Sequence, residues 1–288
     1  MSASPQVPDT AAVAGEARTS RAGRNLGAAI AVGVGLGALV LLSLLIVRQL
    51  FIGVIALAAA LGTWELATAL RRARGAAVPL PVLLVGGQAM VWSSWPFGLR
   101  GLAVSFAATA LAILLWRMRG GAKDYVRDVT AALFVAAYVP LFCSFATLMV
   151  VAEDGVARVV TFMICVVASD VGGYTAGVLA GRHPMAPAIS PKKSWEGFAG
   201  SQVAGIVAGA LSVWLLLGGQ WWEGALTGAL LVIIATLGDL VESLIKRDLG
   251  IKDMGTLLPG HGGLMDRLDS LMPTAMVAWA VLGLLVPA

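Results

Sequence analysis

Acidic and basic side chains are concentrated near the C-terminus of a chain that is otherwise strongly apolar. Asp239, Glu242 and Lys246 are spaced at i, i+3 and i+7, so that in a helix all three project from one face. A salt bridge between Glu242 and Lys246 is a sufficient structural reason for that pair, but it leaves Asp239 without a local partner. Asp266 and Asp269 repeat the i, i+3 spacing at the predicted start of the next helix.

The three aspartates suggest a metal site. A helix N-terminus favours negative charge, which accounts for either Asp266 or Asp269 but not for both. Ligands that are all carboxylate oxygens suit a hard cation such as Mg²⁺ better than zinc. We therefore expect Mg²⁺ as the cofactor, held by Asp239, Asp266 and Asp269, and we leave open whether a second cation binds.

Basic side chains and glycines in two segments supply the complementary half of a phosphate site. In the first segment, SPKKSWEG at 190–197, Lys192 and Lys193 precede a Ser and a Glu at a predicted helix start. Glycines in the second segment let backbone N–H groups approach an anion that the cations neutralise. Its residues are Lys246, Arg247, Lys252, Gly260, His261, Gly262, Gly263 and Arg267. A patch for lipid headgroups explains the cations but not the interleaved aspartates, which metal-bound polyphosphate requires.

Two further carboxylates lie inside apolar segments. Asp170 is about 15 Å from the end of its segment at 1.5 Å per residue, so it cannot easily reach water. A charge at the centre of a membrane helix costs at least about 2.5 kcal/mol, which favours a functional role. Glu65 has a weaker signal, because a carboxylate near the end of a span can reach the interface or pair with Arg71 or Arg72.

The elements that position these residues are membrane-spanning helices. Hydrophobic residues make up 59% of the chain and the mean hydropathy is +0.88. The uncharged runs are close to the roughly 20 residues that cross a bilayer as a helix, and they have no polar face. The sequence predicts an all-α polytopic membrane protein with about nine spans. They lie near 26–47, 50–70, 79–95, 101–116, 129–152, 159–180, 197–217, 225–245 and 270–287.

Basic residues predict the orientation of these spans. With a cytoplasmic N-terminus, 17 of the 20 Lys and Arg residues fall on the cytoplasmic side, leaving Arg48, Arg100 and Arg158 outside. Anionic lipid beside these loops explains the net charge of +4, so no nucleic-acid partner is expected. We predict a disordered cytoplasmic tail (1–25), N-terminal transmembrane helices (26–152) and a catalytic region with cytoplasmic substrate loops (153–288).

The stretch 243–269, SLIKRDLGIKDMGTLLPGHGGLMDRLD, resembles the signature of the phosphatidate cytidylyltransferase, or CDP-diacylglycerol synthase, family. The matching positions are Ser243, Lys246, Arg247, Lys252, Asp253, His261, Gly262, Gly263, Asp266, Arg267 and Asp269. The segment beginning at Ser190 is similar to the family's second characteristic segment, with Ser194 where Thr is more usual. The resemblance covers the chain from Asp170 onward, although Tyr174 stands two positions further from Asp170 than the family's pattern implies.

The resemblance implies an integral enzyme of the cell membrane that joins CTP to phosphatidic acid, giving CDP-diacylglycerol and pyrophosphate. It implies catalytic roles for Asp239, Asp266, Asp269, Lys246 and Arg267. Asp239 and Asp266 are the metal ligands of first choice, and Asp269 is a ligand or a neighbour of one. Substrate contacts are expected from Asp170, Ser190, Lys192, Lys193, Arg247, Lys252, His261, Gly262 and Gly263.

Two other functions fit parts of the pattern. Another membrane enzyme that uses CTP on a different lipid phosphate needs similar metal and phosphate groups. An ion-coupled transporter also contains intramembrane carboxylates, but the chain has no visible internal repeat and its polar residues cluster at one membrane face. The sequence leaves open whether the N-terminal spans form the contact between two copies in a homodimer or provide a path for lipid entry.

Overall fold

The computed structural model describes residues 26–255, 257 and 262–286, and its regular structure is almost entirely helical. A π-helical turn, Ala137–Leu141, joins two of the helices. The strands described, β1 (Pro184–Ala186) and β2 (Ser190–Ser194), form one short antiparallel hairpin. The helices are α1 (Leu26–Ile46), α2 (Arg48–Arg74), α3 (Leu80–Met118), α4 (Tyr125–Ala136), α5 (Phe142–Val151), α6 (Gly155–Ala180), α7 (Trp195–Leu216), α8 (Trp221–Asp248), α9 (Met265–Leu268) and α10 (Leu271–Leu285).

The number of spans agrees with the sequence prediction. Seven helical segments of the described chain are long and apolar enough to cross a membrane. One of them, α3, has 39 residues and contains two predicted spans, because the backbone reverses at Gly98 (φ 58°, ψ −143°). The Ser93 and Ser105 hydroxyls are 3.3 Å apart, whereas a straight helix would separate these residues by about 18 Å. With α1, the all-α fold of about nine spans is confirmed.

The surface of the helix bundle is apolar, as a lipid-facing surface must be. Val85 is 72% exposed, Val104 69% and Leu284 81%, and similar side chains cover the outside of most helices. The interior holds a second set of apolar side chains, including Leu66 and Met90, that are fully buried. A soluble protein rarely exposes so extensive an apolar surface. The protein is therefore an integral membrane protein.

Three of the segments predicted to be cytoplasmic meet at one face of the bundle. Arg74, at the end of α2, forms an ion pair with Asp248 at the end of α8 and donates to its backbone carbonyl at 2.8 Å. Arg127, at the start of α4, donates to the Gly75 carbonyl at 3.2 Å. The ends of α2 and α8 and the start of α4 therefore meet, as expected of segments that are predicted to lie on the same side of the membrane.

The opposite face carries two of the three arginines predicted to lie outside. Arg48, at the start of α2, donates to the Glu153 carbonyl at 2.8 Å. Arg158, near the start of α6, is buried and donates to the Val286 carbonyl at 2.5 Å. These contacts tie the α5–α6 connection to the start of α2 and to the end of α10.

Close packing of α6, α7 and α8 builds the wall that carries the polar residues. Gly172 on α6 faces Gly200 on α7, where a Cβ would lie 2.6 Å from the Gly200 carbonyl oxygen. Gly209 on α7 faces Gly228 on α8, where a Cβ would lie 2.9 Å from the Gly228 nitrogen. Small residues allow such close approach of helices in membranes. The three helices can thus direct polar groups into one small cavity.

Candidate active site

A polar cavity of about 370 Å³ lies where α6, the β-hairpin, α7 and α8 meet. Its lining includes Asp170 from α6, Lys192 and Lys193 from β2, and Asp239 from α8. These four residues come from three separate sequence segments, and each is a predicted site residue. The structure therefore brings together the carboxylates and lysines that the sequence suggested for a phosphate site.

Lys193 is the central cation of this cavity. Its Nζ is 2.7 Å from the Asp239 Oδ2 and donates to the Thr236 carbonyl oxygen at 3.3 Å. Asp239, which has no partner on its own helix, is therefore paired with a lysine from another element. Both side chains are partly exposed to the cavity, with 24% of Lys193 and 37% of Asp239 accessible.

Residues that follow Lys193 fix the β-hairpin to α7. The Ser194 hydroxyl accepts a hydrogen bond from the Gly197 backbone at 3.1 Å, which caps the helix N-terminus. The Glu196 carboxylate accepts from the backbone N–H groups of Arg182 and His183 at 3.1 and 3.2 Å. The predicted helix start is confirmed, and its capping residues also hold the segment that carries the two lysines.

A second group of charges lies further along α8. Glu242 and Lys246 form the expected i, i+4 ion pair, and the Lys246 Nζ also donates to the Asp266 Oδ1 at 3.0 Å. Glu242 is 1% exposed. Its Oε1 has no hydrogen-bond partner among the described residues. Lys246 is thus shared between two carboxylates.

Asp266 holds the loop between α8 and α9. Its Oδ2 accepts hydrogen bonds from the Met254 N–H at 3.0 Å and from the Gly263 N–H at 2.8 Å, while its Oδ1 faces Lys246. Met254 belongs to the part of the loop that follows α8, and Gly263 to the part that precedes α9. Both oxygens of Asp266 are therefore engaged in fastening the loop to itself and to α8.

Asp269 lies near Asp239, which lines the cavity. Its carboxyl group is within interaction range of Asp239 and Glu242, and one oxygen accepts the Ser270 N–H at 2.7 Å. Gly238 permits this approach, since a Cβ there would lie 2.9 Å from the Asp269 carbonyl oxygen. Asp239, Glu242 and Asp269 therefore form one acidic cluster, of which Asp239 lines the cavity.

The other predicted site residues lie around this centre. Ser190 is half-buried in β2, whereas Arg247, Lys252 and Arg267 are exposed and are not among the described residues that line the cavity. Gly262 has a positive φ of 81°, a conformation that favours glycine. His261 lies outside the described residues. Roles for these side chains in substrate binding remain predictions.

Glu65 has the weakest sequence signal of the acids considered, yet it contacts the loop before α9. It is 2% exposed and accepts hydrogen bonds from the backbone N–H groups of Leu264 and Met265 at 3.1 and 2.7 Å. It does not form the suggested pair with Arg71, which donates instead to a backbone carbonyl. One sequence signal could have pointed to this contact: no Lys or Arg stands three or four positions from Glu65 on α2, so its partner had to come from another segment.

Comparison with known proteins supports the same chemistry. Residues 27–285 match the Cytidylyltransferase family. The chain belongs to this family. It is 51% identical over 280 residues to the phosphatidate cytidylyltransferase of Mycobacterium bovis, covering 93% of this chain and 91% of that one. The protein of the same name from Mycobacterium leprae is 50% identical over 283 residues, with 93% and 90% covered.

A more distant cytidylyltransferase shows a shorter match. The phosphatidate cytidylyltransferase of a Synechocystis species is 45% identical over 127 residues, which cover 43% of this chain and 42% of that one. The mycobacterial relatives, in contrast, match almost the whole chain. The similarity to the family thus includes the N-terminal spans as well as the C-terminal signature motif.

Proposed function

We propose that this protein transfers the cytidylyl group of CTP to phosphatidic acid, forming CDP-diacylglycerol and pyrophosphate. The observation that carries the proposal is the cavity in which Lys192 and Lys193 face Asp170 and Asp239. The mycobacterial relatives, which are named for this activity, support it at about half identity over more than nine-tenths of the chain.

The reaction requires charge neutralisation more than proton transfer. An oxygen of the phosphatidate phosphate attacks the α-phosphorus of CTP, a new P–O bond forms, and the bond to pyrophosphate breaks. The attacking phosphate is already anionic, so no strong general base is needed. Lys192 and Lys193 supply positive charge where phosphates would enter the cavity, and fixed charges of this kind stabilise a phosphoryl-transfer transition state.

The acidic cluster fits Mg²⁺. Among the described residues, no three His, Cys, Asp or Glu side chains form an all-protein metal cage. Mg²⁺ commonly binds one or two carboxylates and completes its shell with water and substrate phosphates. Asp239 and Asp269 would hold it, and the unpartnered Oε1 of Glu242 adds negative charge that a cation would offset. When bound, Mg²⁺ would neutralise the polyphosphate of CTP.

This assignment changes the order of the expected ligands. The sequence favours Asp266 over Asp269 as a metal ligand. The hydrogen bonds of Asp266 to Met254, Gly263 and Lys246 support a role in holding the loop. Its removal would then alter the loop, whereas removal of Asp269 would alter metal affinity.

We propose that the protein lies in the cell membrane and that its active site faces the cytoplasm. CTP is a soluble nucleotide, whereas phosphatidate comes from the bilayer, so the site must be reachable from both. The basic loops on the face defined by Arg74 and Asp248 follow the positive-inside pattern. The cavity between α6, α7 and α8 lies beside the apolar outer surface of α7, from which a lipid could approach.

One assay tests the proposed reaction. The purified protein is incubated with phosphatidate, CTP and Mg²⁺, and CDP-diacylglycerol and pyrophosphate are measured. We expect the two products in equal amounts and neither product when phosphatidate or CTP is omitted. Product formation only from a different lipid phosphate would assign the enzyme to another substrate. Absence of pyrophosphate release with every lipid phosphate would reject the enzymatic function.

A further inference from the structure

We propose that Glu65 on α2 is a positioning residue for the loop that carries the catalytic signature. The loop joins α8 to α9, and Asp266 fastens it through Met254 and Gly263, which belong to its described residues 249–255, 257 and 262–264. Glu65 fastens it from the N-terminal half of the chain. The effect on catalysis rests on the proposed function, whereas the effect on the loop can be measured without it.

The carboxylate of Glu65 binds the end of the loop directly. Its Oε1 accepts the Leu264 N–H at 3.1 Å, and its Oε2 accepts the Met265 N–H at 2.7 Å. Hydrogen bonds from backbone N–H groups to a carboxylate are stronger than those between neutral groups. Because Met265 directly precedes Asp266, these two bonds fix the backbone from which the Asp266 side chain reaches Lys246.

Two described positions of the loop, Gly255 and Gly263, pack against this carboxylate. At Gly255, the three atoms nearest to an added Cβ all belong to the Glu65 side chain, and the Cβ would overlap it. At Gly263, an added Cβ would lie 2.6 Å from the Glu65 Oε2 and 2.7 Å from the Gly255 nitrogen. Two separate parts of the loop therefore pass against Glu65, each at a glycine, which has no side chain to overlap the carboxylate.

The partners of Glu65 are of an unusual kind. In the described part of the chain, no Lys, Arg or His forms an ion pair with it at 4.0 Å or less, although it is 2% exposed. Burying a carboxylate is unfavourable unless hydrogen bonds replace its water. The Leu264 and Met265 N–H groups that replace it belong to the end of the loop and the start of α9, so the favourable interactions of Glu65 depend on the position of this backbone. Glu65 and the loop thus stabilise each other.

The first test removes the acceptor. In Glu65→Ala, and less severely in Glu65→Gln, we expect faster backbone hydrogen exchange at residues 249–265 in lipid nanodiscs. We also expect kcat to fall by about 10- to 100-fold at every Mg²⁺ concentration, the loss typical of residues that position the groups of a metal-dependent site. Asp128→Asn is the control: this acid is also buried, but it pairs with Arg117 and Arg127. It should lower thermal stability without changing exchange in the loop.

The second test asks whether Gly255 is required because of Glu65. Gly255→Ala should lower activity more than about tenfold in the wild-type background, because the methyl group displaces a carboxylate bound by charge-assisted hydrogen bonds. In the Glu65→Ala background, the same change should alter activity less than about twofold, since the atoms it would overlap are gone. Gly53→Ala is the matched control. Gly53 lies on the same helix as Glu65, and no atom lies within 4 Å of a Cβ added there.

Two results would overturn the positioning role. One is an equal loss for Gly255→Ala in both backgrounds, and the other is unchanged loop exchange in Glu65→Ala. If Glu65→Ala does not fold, the shorter Glu65→Asp serves as the background, and the effect of Gly255→Ala should shrink there too. If the wild-type protein shows no CTP turnover, the proposed function fails, but the exchange measurement still decides whether Glu65 holds the loop.

Discussion

Lys193 and Asp239 form an ion pair of 2.7 Å across the cavity, although 46 positions separate them in the sequence. Both side chains are partly accessible, and an exposed ion pair contributes little to stability because water competes for it. The pair is therefore better explained by its place in the cavity than by the fold. Asp239 holds the ammonium group of Lys193 at the position where a phosphate would enter.

Lys193→Met should impair CTP binding. Removing the ammonium group leaves Asp239 without its ion-pair partner, and an incoming polyphosphate would meet the uncompensated negative charge of a cavity that Asp170 also lines. Because a hydrogen bond to a charged group is worth about 1.5–3 kcal/mol, we expect the KM for CTP to rise by roughly 10- to 100-fold. Initial rates at several CTP concentrations measure it.

Lys123→Met is the control for that experiment. Lys123 is an exposed lysine in the loop before α4, on the same predicted face of the membrane. Its loss changes the net charge equally but lies outside the cavity. A comparable rise in KM for both variants would show that Lys193 acts only through the general surface charge.

Asp239→Asn and Asp269→Asn should raise the Mg²⁺ concentration needed for half-maximal activity. Each change removes one anionic oxygen ligand while keeping the shape of the side chain. At low Mg²⁺, we expect the rate to fall more than about tenfold, which corresponds to about 1.4 kcal/mol. Rates measured over a range of Mg²⁺ concentrations test this.

Asp266→Asn should behave differently. Its carboxylate accepts hydrogen bonds from Met254 and Gly263, so the change should lower activity at every Mg²⁺ concentration and speed hydrogen exchange in the loop. The opposite pattern, a Mg²⁺-dependent loss for Asp266→Asn and none for Asp269→Asn, would restore the assignment that the sequence alone favours.

The spans could be predicted from the sequence because the signal for a span is the average hydropathy of about 20 consecutive residues, and the signal for its orientation is the number of basic residues in the adjoining loops. The predicted break between 95 and 101, for example, coincides with the reversal at Gly98. The short β-hairpin could not be predicted in the same way. Its strands are three and five residues long, and SPKKS has no apolar alternation, so it reads as part of a polar loop.

The contacts of the candidate site were harder to predict than its residue types. Glu65 accepts hydrogen bonds from backbone N–H groups 199 and 200 positions away. Every residue except proline has such a donor, so no sequence pattern indicates which residues are the partners. Asp266 and Asp269 have the same side chain and lie one helical turn apart. Only the path of the backbone decides that one faces the loop and the other faces Asp239.

Cysteine labelling should confirm the orientation. Ala122→Cys and Ala188→Cys lie in exposed loops predicted to be cytoplasmic, and Glu153→Cys lies in an exposed loop predicted to be outside. An impermeant maleimide added to intact cells should label only position 153, while inverted vesicles should expose 122 and 188. The native Cys143 and Cys165 are buried and should not react. Labelling of 188 in intact cells would place the β-hairpin and its lysines on the wrong side for cytoplasmic CTP.

Gly263→Val should abolish most activity without preventing insertion into the membrane. A Cβ at this position would lie 2.6 Å from the Glu65 carboxylate and 2.7 Å from the Gly255 nitrogen, so the loop must move. That movement would break the Gly263 N–H bond to Asp266 and shift Asp266 relative to Lys246. Gly283→Val on α10, where no atom lies within 4 Å of an added Cβ, should retain activity at equal membrane abundance. Normal CTP turnover in Gly263→Val would mean that the loop tolerates a side chain at this crowded position, and that its contact with Glu65 and Asp266 is not needed for catalysis.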